Sequence, residues 1–282
     1  MKPALAFILY NPTESVWKRI SAAISEEFSV FVFDNSPSPE NQNKAKEIGS
    51  SICYLKTGQN IGIGRALNYI GRSACAEGYA LLLNFDQDTV FTAETLEYIS
   101  RFGSACIAYM DRLRRAAVFS VTLRAGPAPH HFRPCRILEG YDFDPVKLTI
   151  NSGTLFFLDR LEEVGYHNTS YFVDCVDYSM CVEAQKHGLN IFELHDIPGL
   201  DHSIEQEDKA WKLCGKTFRG RRYPNSRIRD YLNASGRLFL RSLTVSLPTS
   251  ARLMRLLLEY LFLQLVVRLA GESNTQSSPK KR

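Results

Sequence analysis

Apolar runs alternate with helix-spaced stretches through the first half of this chain. Residues 4–10 are apolar, and residues 13–28 place Val16, Ile20, Ala23 and Ile24 at helical spacing. Residues 30–33 form a short β-branched and aromatic run that stops at Asp34-Asn35-Ser36. Residues 52–55 follow a polar stretch of helical character. Residues 63–76 repeat Leu67, Ile70 and Ala74 along one face, and residues 79–85 form the next strand. A period of about 3.6 marks a helix with one buried face, whereas a short apolar run bounded by turn residues marks a covered strand. Their alternation predicts an α/β fold: a mostly parallel central sheet flanked by helices, with ligands at the carboxyl ends of the strands.

The middle of the chain is less regular. Residues 114–123 predict a strand, and the Pro-, Gly- and His-rich stretch 124–134 an exposed loop. Residues 148–158 return to strand character, interrupted by Asn151-Ser152-Gly153. Residues 174–187 predict a helix ended by Gly188, and residues 189–194 a further strand. Past Lys209, residues 228–240 and 251–270 read as a C-terminal helical appendage. The second of these is strongly apolar, but Arg252, Arg255, Glu259 and Arg268 argue against a buried membrane span. Its broad apolar surface suits docking on the protein body, on a second subunit in a homo-oligomer, or on a membrane interface. The last ten residues read as a disordered tail.

Charge changes the picture of domain organisation. The net +4 hides an asymmetry: residues 1–208 hold 18 Lys and Arg against 27 Asp and Glu, a net of −9, and residues 209–282 hold 16 against 3, a net of +13. A globular domain over 1–208 and a basic helical region over 209–282 follow. Basic pieces seek phosphate, in nucleic acid or on a membrane. With no recognisable nucleic-acid-binding module, anionic lipid is the expected partner and nucleic acid is not. The seven cysteines form no CxxC pair, which argues against a zinc knuckle. Their odd count and the want of a secretory leader predict a cytoplasmic protein, one that the basic region would bring to the inner face of the membrane.

Three segments carry candidate chemistry. Asp86-Gln87-Asp88 follows the apolar run 81–85. Residues i and i+2 of an extended chain point to one side, so the two carboxylates suit a hard divalent cation; the competing reading is a solvated turn. Asp34-Asn35-Ser36 also ends a strand, either as a turn or as an acid that recognises a base or ribose. Residues 58–68, GQNIGIGRALN, put glycines before a helix, where a ligand approaches closely and Arg65 could face a phosphate. They do not make the dinucleotide fingerprint, because Leu67 stands where its third glycine would be.

In order, DNS, GQNIGIGRALN, NFDQD, INSGTLFFL, YFVDCVDYSMCVEAQKHG and a histidine at 202 resemble the family 2 glycosyltransferases of the GT-A fold. Among these they are most similar to the bacterial rhamnosyltransferases of O-antigen and cell-surface polysaccharide synthesis. The resemblance spans residues 3–245. It implies that Asp34 contacts the nucleotide base and that Asn60 and Arg65 wrap the donor. Asp86 and Asp88 would bind the sugar nucleotide with Mg²⁺ or Mn²⁺, and His202 would complete the metal shell. Ser152 and Gly153 would line the sugar pocket, and Asp177 would serve as general base, with Asp174, one helical turn away, as its rival.

The implied activity is transfer of a sugar, L-rhamnose from dTDP-L-rhamnose, to a hydroxyl of a lipid-linked or cell-surface glycan, with inversion. The sequence departs from the family where an acid, a Trp and an Arg are usual and Ser179, Met180 and Glu183 stand. The glycine usual after the late histidine is also missing. These departures motivate an alternative, a non-catalytic transferase body that scaffolds polysaccharide assembly.

Overall fold

Short apolar runs cannot leave their backbone groups unpaired once buried, so they assemble side by side. In the computed structural model, which describes residues 2–49, 51–129, 134–202 and 209–272, the first runs become β1 (Ala4–Leu9), β2 (Val30–Asp34), β3 (Ile52–Lys56) and β4 (Leu81–Asp86). Between them lie α1 (Glu14–Ser25), α2 (Glu40–Ile48) and α3 (Ile63–Ala76). There follow β5 (Thr89–Val90), α4 (Ala93–Ala108), α5 (Met110–Arg115), β6 (Val118–Leu123), β7 (Cys135–Leu138), β8 (Tyr141–Val146), β9 (Thr154–Phe157), α6 (Leu158–Glu163), α7 (Val176–Lys186), β10 (Asn190–Leu194) and β11 (Asp201–His202).

Nine strands form one sheet in the order β3-β2-β1-β4-β9-β6-β10-β8-β7 among the described residues. β1, β2, β3, β4, β6, β7 and β10 share one direction, and β8 and β9 run against them. The mostly parallel α/β sheet expected from the pattern is therefore present.

Every residue of β2 is buried, as a strand covered on both faces requires. On one face Leu5, Phe7 and Leu9 pack with Trp17 and Ile20 of α1 and Leu96, Ile99 and Phe102 of α4. Phe85 and Phe91 stack there at 5.0 Å. Each such side chain stabilises the fold by roughly 1.5–3 kcal/mol through burial.

Three local readings change. Arg114 and Arg115 end α5 rather than begin a strand: Arg114 pairs with Asp111 and Asp159, and Ala117 turns the chain at a φ of 52°. Residues 148–153 are not strand, and Leu158 opens α6. Helix α4, which the periodicity did not single out, starts from a capping box in which Thr92 and Thr95 bond reciprocally.

The chain divides into two compact units, Met1–Ser203 and Ile204–Arg282. In the second, β12 (Lys209–Leu213) and β13 (Lys216–Gly220) form a hairpin, α8 (Asn225–Leu243) packs on α9 (Leu247–Leu269), and β14 (Gly271–Glu272) pairs with β12. Gln264 is buried in this unit and bonds the Arg221 carbonyl and the Tyr223 amide. No helix among the described residues is long and apolar enough to cross a membrane. The expected tail after residue 272, and residues 130–133 of the Pro-rich loop, lie outside the described residues.

Candidate active site

Because β1, β2, β3, β4, β6 and β10 share a direction, their carboxyl ends lie along one edge of the sheet, where the antiparallel β9 begins. Asp34 at the end of β2 is fully buried. Its Oδ1 accepts the Ser36 amide at 2.8 Å, and its Oδ2 accepts Asn41 Nδ2 at 3.1 Å, the Tyr54 hydroxyl at 2.6 Å and Lys56 Nζ at 3.1 Å. Burial opposes the charge, but the bonds from Ser36, Tyr54 and Lys56 outweigh it and hold the carboxyl below its ordinary pKa. A carboxylate has about four acceptor positions, and these protein donors fill them.

The neighbouring Asn35 takes the Ile61 amide on its Oδ1 at 3.1 Å, tying the glycine-rich loop to this edge. In that loop Asn60 accepts the Gly62 amide at 2.9 Å. Gly62 has a φ of +82°, and a Cβ there would meet the Phe172 carbonyl oxygen at 2.7 Å, so only glycine fits. Arg65 is exposed on the first turn of α3, and it is not among the charges that shift Asp86 or Asp177.

Strand β4 ends at Asp86, and Gln87-Asp88 form a turn into β5. The two acids are therefore not neighbours on an extended strand, as the spacing suggested; the turn brings them close. Gln87 points to the other side, where its Oε1 accepts the Tyr10 amide at 2.8 Å. The Asp86 amide donates to Ser152 Oγ at 3.2 Å, and that hydroxyl shares a hydrogen bond with Thr89 Oγ1 at 2.6 Å. Gly153, at a φ of 74°, donates its amide to the Asn84 carbonyl at 2.8 Å. Asn151-Ser152-Gly153 is thus fastened against the end of β4.

Asp86 reaches solvent, yet protein crowds it closely. Burial is the first cause of its pKa being pushed up to about 7, followed by the charges of Asp177 and Asp88. Asp177 lies in the first turn of α7. Burial raises its pKa to about 6 against a hydrogen bond from the Asn151 backbone, and Asp174 adds a like charge. Asp86, Asp88, Asp174 and Asp177 therefore form one coupled acidic group, while Asp34, Asn60 and Arg65 stand outside it. Of the family departures, Ser179 and Met180 are buried, and Glu183 pairs with Lys186. The backbone of His202 pairs with Thr89, next to Asp88; its side chain and residues 203–208 lie outside the described residues.

A repelling group of hard oxygen donors is the donor set that suits Mg²⁺ or Mn²⁺, since a cation removes the repulsion that raises Asp86.

Sequence reasoning missed a second polar group. Asn84, Thr154, Thr122, Glu193 and Asp144 lie in register across five strands and so share one face. Glu193, Asp144 and His195 bring one ligand atom each within 4.8 Å of one another. Arg124 lies 3.8 Å from Glu193, and Thr149 donates to it at 2.9 Å. The signal was present: Glu193-Leu194-His195 ends an apolar strand with polar residues at i and i+2, as the DQD segment does.

No family model matches the chain. It is 26% identical to the dTDP-rhamnosyl transferase RfbF of Shigella flexneri over 223 residues, 74% of this chain and 70% of that protein. Among solved structures, S. aureus TarS superimposes with a TM-score of 0.55 at 14% identity, covering 93% of this chain but 44% of TarS. The chain thus spans less than half of full-length TarS. GalNAc-T7 solved with UDP, GalNAc and Mn²⁺ gives a TM-score of 0.55 at 9% identity, over 84% of this chain and 48% of that one. The solved structures bear out the GT-A fold, and the Shigella relative bears out the resemblance to glycosyltransferases.

Proposed function

We propose that this glycosyltransferase moves L-rhamnose from dTDP-L-rhamnose to a hydroxyl of a lipid-linked or cell-surface glycan, with inversion, at the inner face of the cytoplasmic membrane. One observation carries the reading: Asp86 feels the charges of both Asp88 and Asp177, acids from a strand end, a turn and a helix. The rhamnosyl donor is supported by the name of the Shigella relative. A nucleotide-sugar donor is supported more broadly by the UDP of GalNAc-T7 and by the UDP-GlcNAc complex of a shorter form of TarS.

Asp177 acts as general base. Its pKa near 6 leaves it charged at neutral pH and more basic than an ordinary carboxylate. It takes the proton of the acceptor hydroxyl as that oxygen bonds to the anomeric carbon. The bond from that carbon to the donor's diphosphate breaks in the same displacement, on the opposite face. Burial keeps Asp177 basic, and the like charge of Asp174 adds to it. Asp34, saturated by protein donors, acts on the donor's base only by fixing Tyr54 and Lys56 at the strand end; Asn60 and Arg65 close over the phosphates, and Ser152 and Gly153 border the sugar. Asp86, Asp88 and His202 would hold Mg²⁺ or Mn²⁺, which supplies positive charge to the departing diphosphate.

Calorimetric titration of dTDP-L-rhamnose with and without Mn²⁺, run beside a transfer assay, tests this. Asp88→Ala should abolish the gain in donor affinity that Mn²⁺ gives. Asp177→Asn should keep donor binding and lower transfer about 10²–10⁴-fold. Metal-independent binding, or transfer that survives Asp177→Asn, would overturn the respective role. Binding without any turnover by the unaltered chain would instead favour the scaffold reading that Ser179, Met180 and Glu183 motivate.

A further inference from the structure

The face of α9 opposite its buried side chains is apolar. Leu253, Gln264 and Val267 are buried, whereas Leu247, Leu258, Phe262, Leu265 and Leu269 are 54–71% exposed. Their spacing, 11, 4, 3 and 4 residues, keeps them on one line of a 3.6-residue helix. With Ala251 and Met254 between the first two, the stripe runs the length of the helix, about 34 Å. Solvent normally selects Lys and Glu at such positions, so the stripe calls for an occupant.

Charge identifies it. Arg252 and Arg255 flank the stripe, with Glu259 paired to Arg255 at 2.7 Å. On α8 the exposed Leu232, Leu240 and Leu243 lie among Arg229, Arg237 and Arg241. Residues 209–282 carry 16 Lys and Arg against 3 Asp and Glu. A second copy of the chain would set one basic surface against another, which disfavours self-association. An anionic lipid surface accepts the leucines into its acyl boundary and the arginines at its headgroups. The helix is too polar to cross a bilayer, which agrees with lying flat on one. We propose that α9 lies in the plane of an anionic membrane, with Leu258, Phe262 and Leu265 inserted. α9 and the acidic group belong to different units of the chain, and donor binding measured without vesicles reads the acidic group alone, so the two tests fail distinguishably.

Co-sedimentation of the full chain with vesicles of phosphatidylglycerol and phosphatidylcholine in equal parts, against phosphatidylcholine alone, tests the assignment. The unaltered chain should pellet with the anionic vesicles and be released by high salt. Leu258→Ser, Phe262→Ser and Leu265→Ser together should weaken partitioning about tenfold or more. Arg252→Gln with Arg255→Gln should weaken it about fivefold per arginine while leaving the stripe intact. Thermal unfolding of each variant checks that it folds. Equal binding to neutral vesicles, or no loss in the triple variant, would overturn the proposal. So would light scattering that shows a dimer which the serines dissociate, since the stripe would then be a seam between copies.

Discussion

Asp34 and Asp86 end β2 and β4, the two strands that flank β1, and both follow apolar runs. Their surroundings drive them apart. Asp34 is enclosed by four protein donors and held in its charged form. Asp86 has solvent and two other carboxylates before it, and its charge is disfavoured. The same local signal, an acid at the end of a buried strand, thus yields an anchor in one place and a poised group in the other. What differs is whether neighbouring segments bring donors or further acids.

The largest expected effect lies on the anchored side. Asp34→Ala removes an acceptor shared by the partly buried Tyr54 and Lys56 and the buried Asn41, and breaking this ion pair should cost about 3–5 kcal/mol in urea unfolding. The stabilisation that this acid gives is present above its unfolded pKa, about 3.9, and is lost as pH falls through its lower folded value. A loss near zero would mean that the bonds to Asp34 do not hold the loop.

Next comes Tyr54→Phe, which removes one bond to a charged group; about 1.5–3 kcal/mol should be lost by the same measurement.

The smallest effect has the opposite sign. Asp86 prefers a proton in the fold, so its penalty is absent below its unfolded pKa of about 4, grows as pH rises, and is complete above about 7. With metal chelated, Asp86→Asn should therefore melt higher than the unaltered chain above pH 7 and equal to it near pH 4. A lower melting temperature at both would place Asp86 with Asp34 as a structural acid.

Much of the fold was legible because short, strongly apolar runs have few alternatives to a buried strand. The helix expected over residues 63–76 forms over those residues, and Gly188, at a φ of 73°, ends α7 as its type predicts. Elements with mixed signals were harder. α4 starts with a threonine pair in place of the usual Thr-to-Glu box, and β8 contains Pro145. The candidate site was legible only as separate segments. Nothing local in Asn151-Ser152-Gly153 says that its backbone would hold Asp177 while Ser152 holds the end of β4.

The sequence by itself determined the strands, the helices between them and the residues able to carry charge at strand ends, because burial, helical period and turn chemistry act within a few residues. Tertiary structure alone decided which acids meet. Electrostatic coupling and desolvation depend on distance through space, and the packing of α7 against the 151–153 segment, remote in sequence from β4, sets that distance for Asp86 and Asp177.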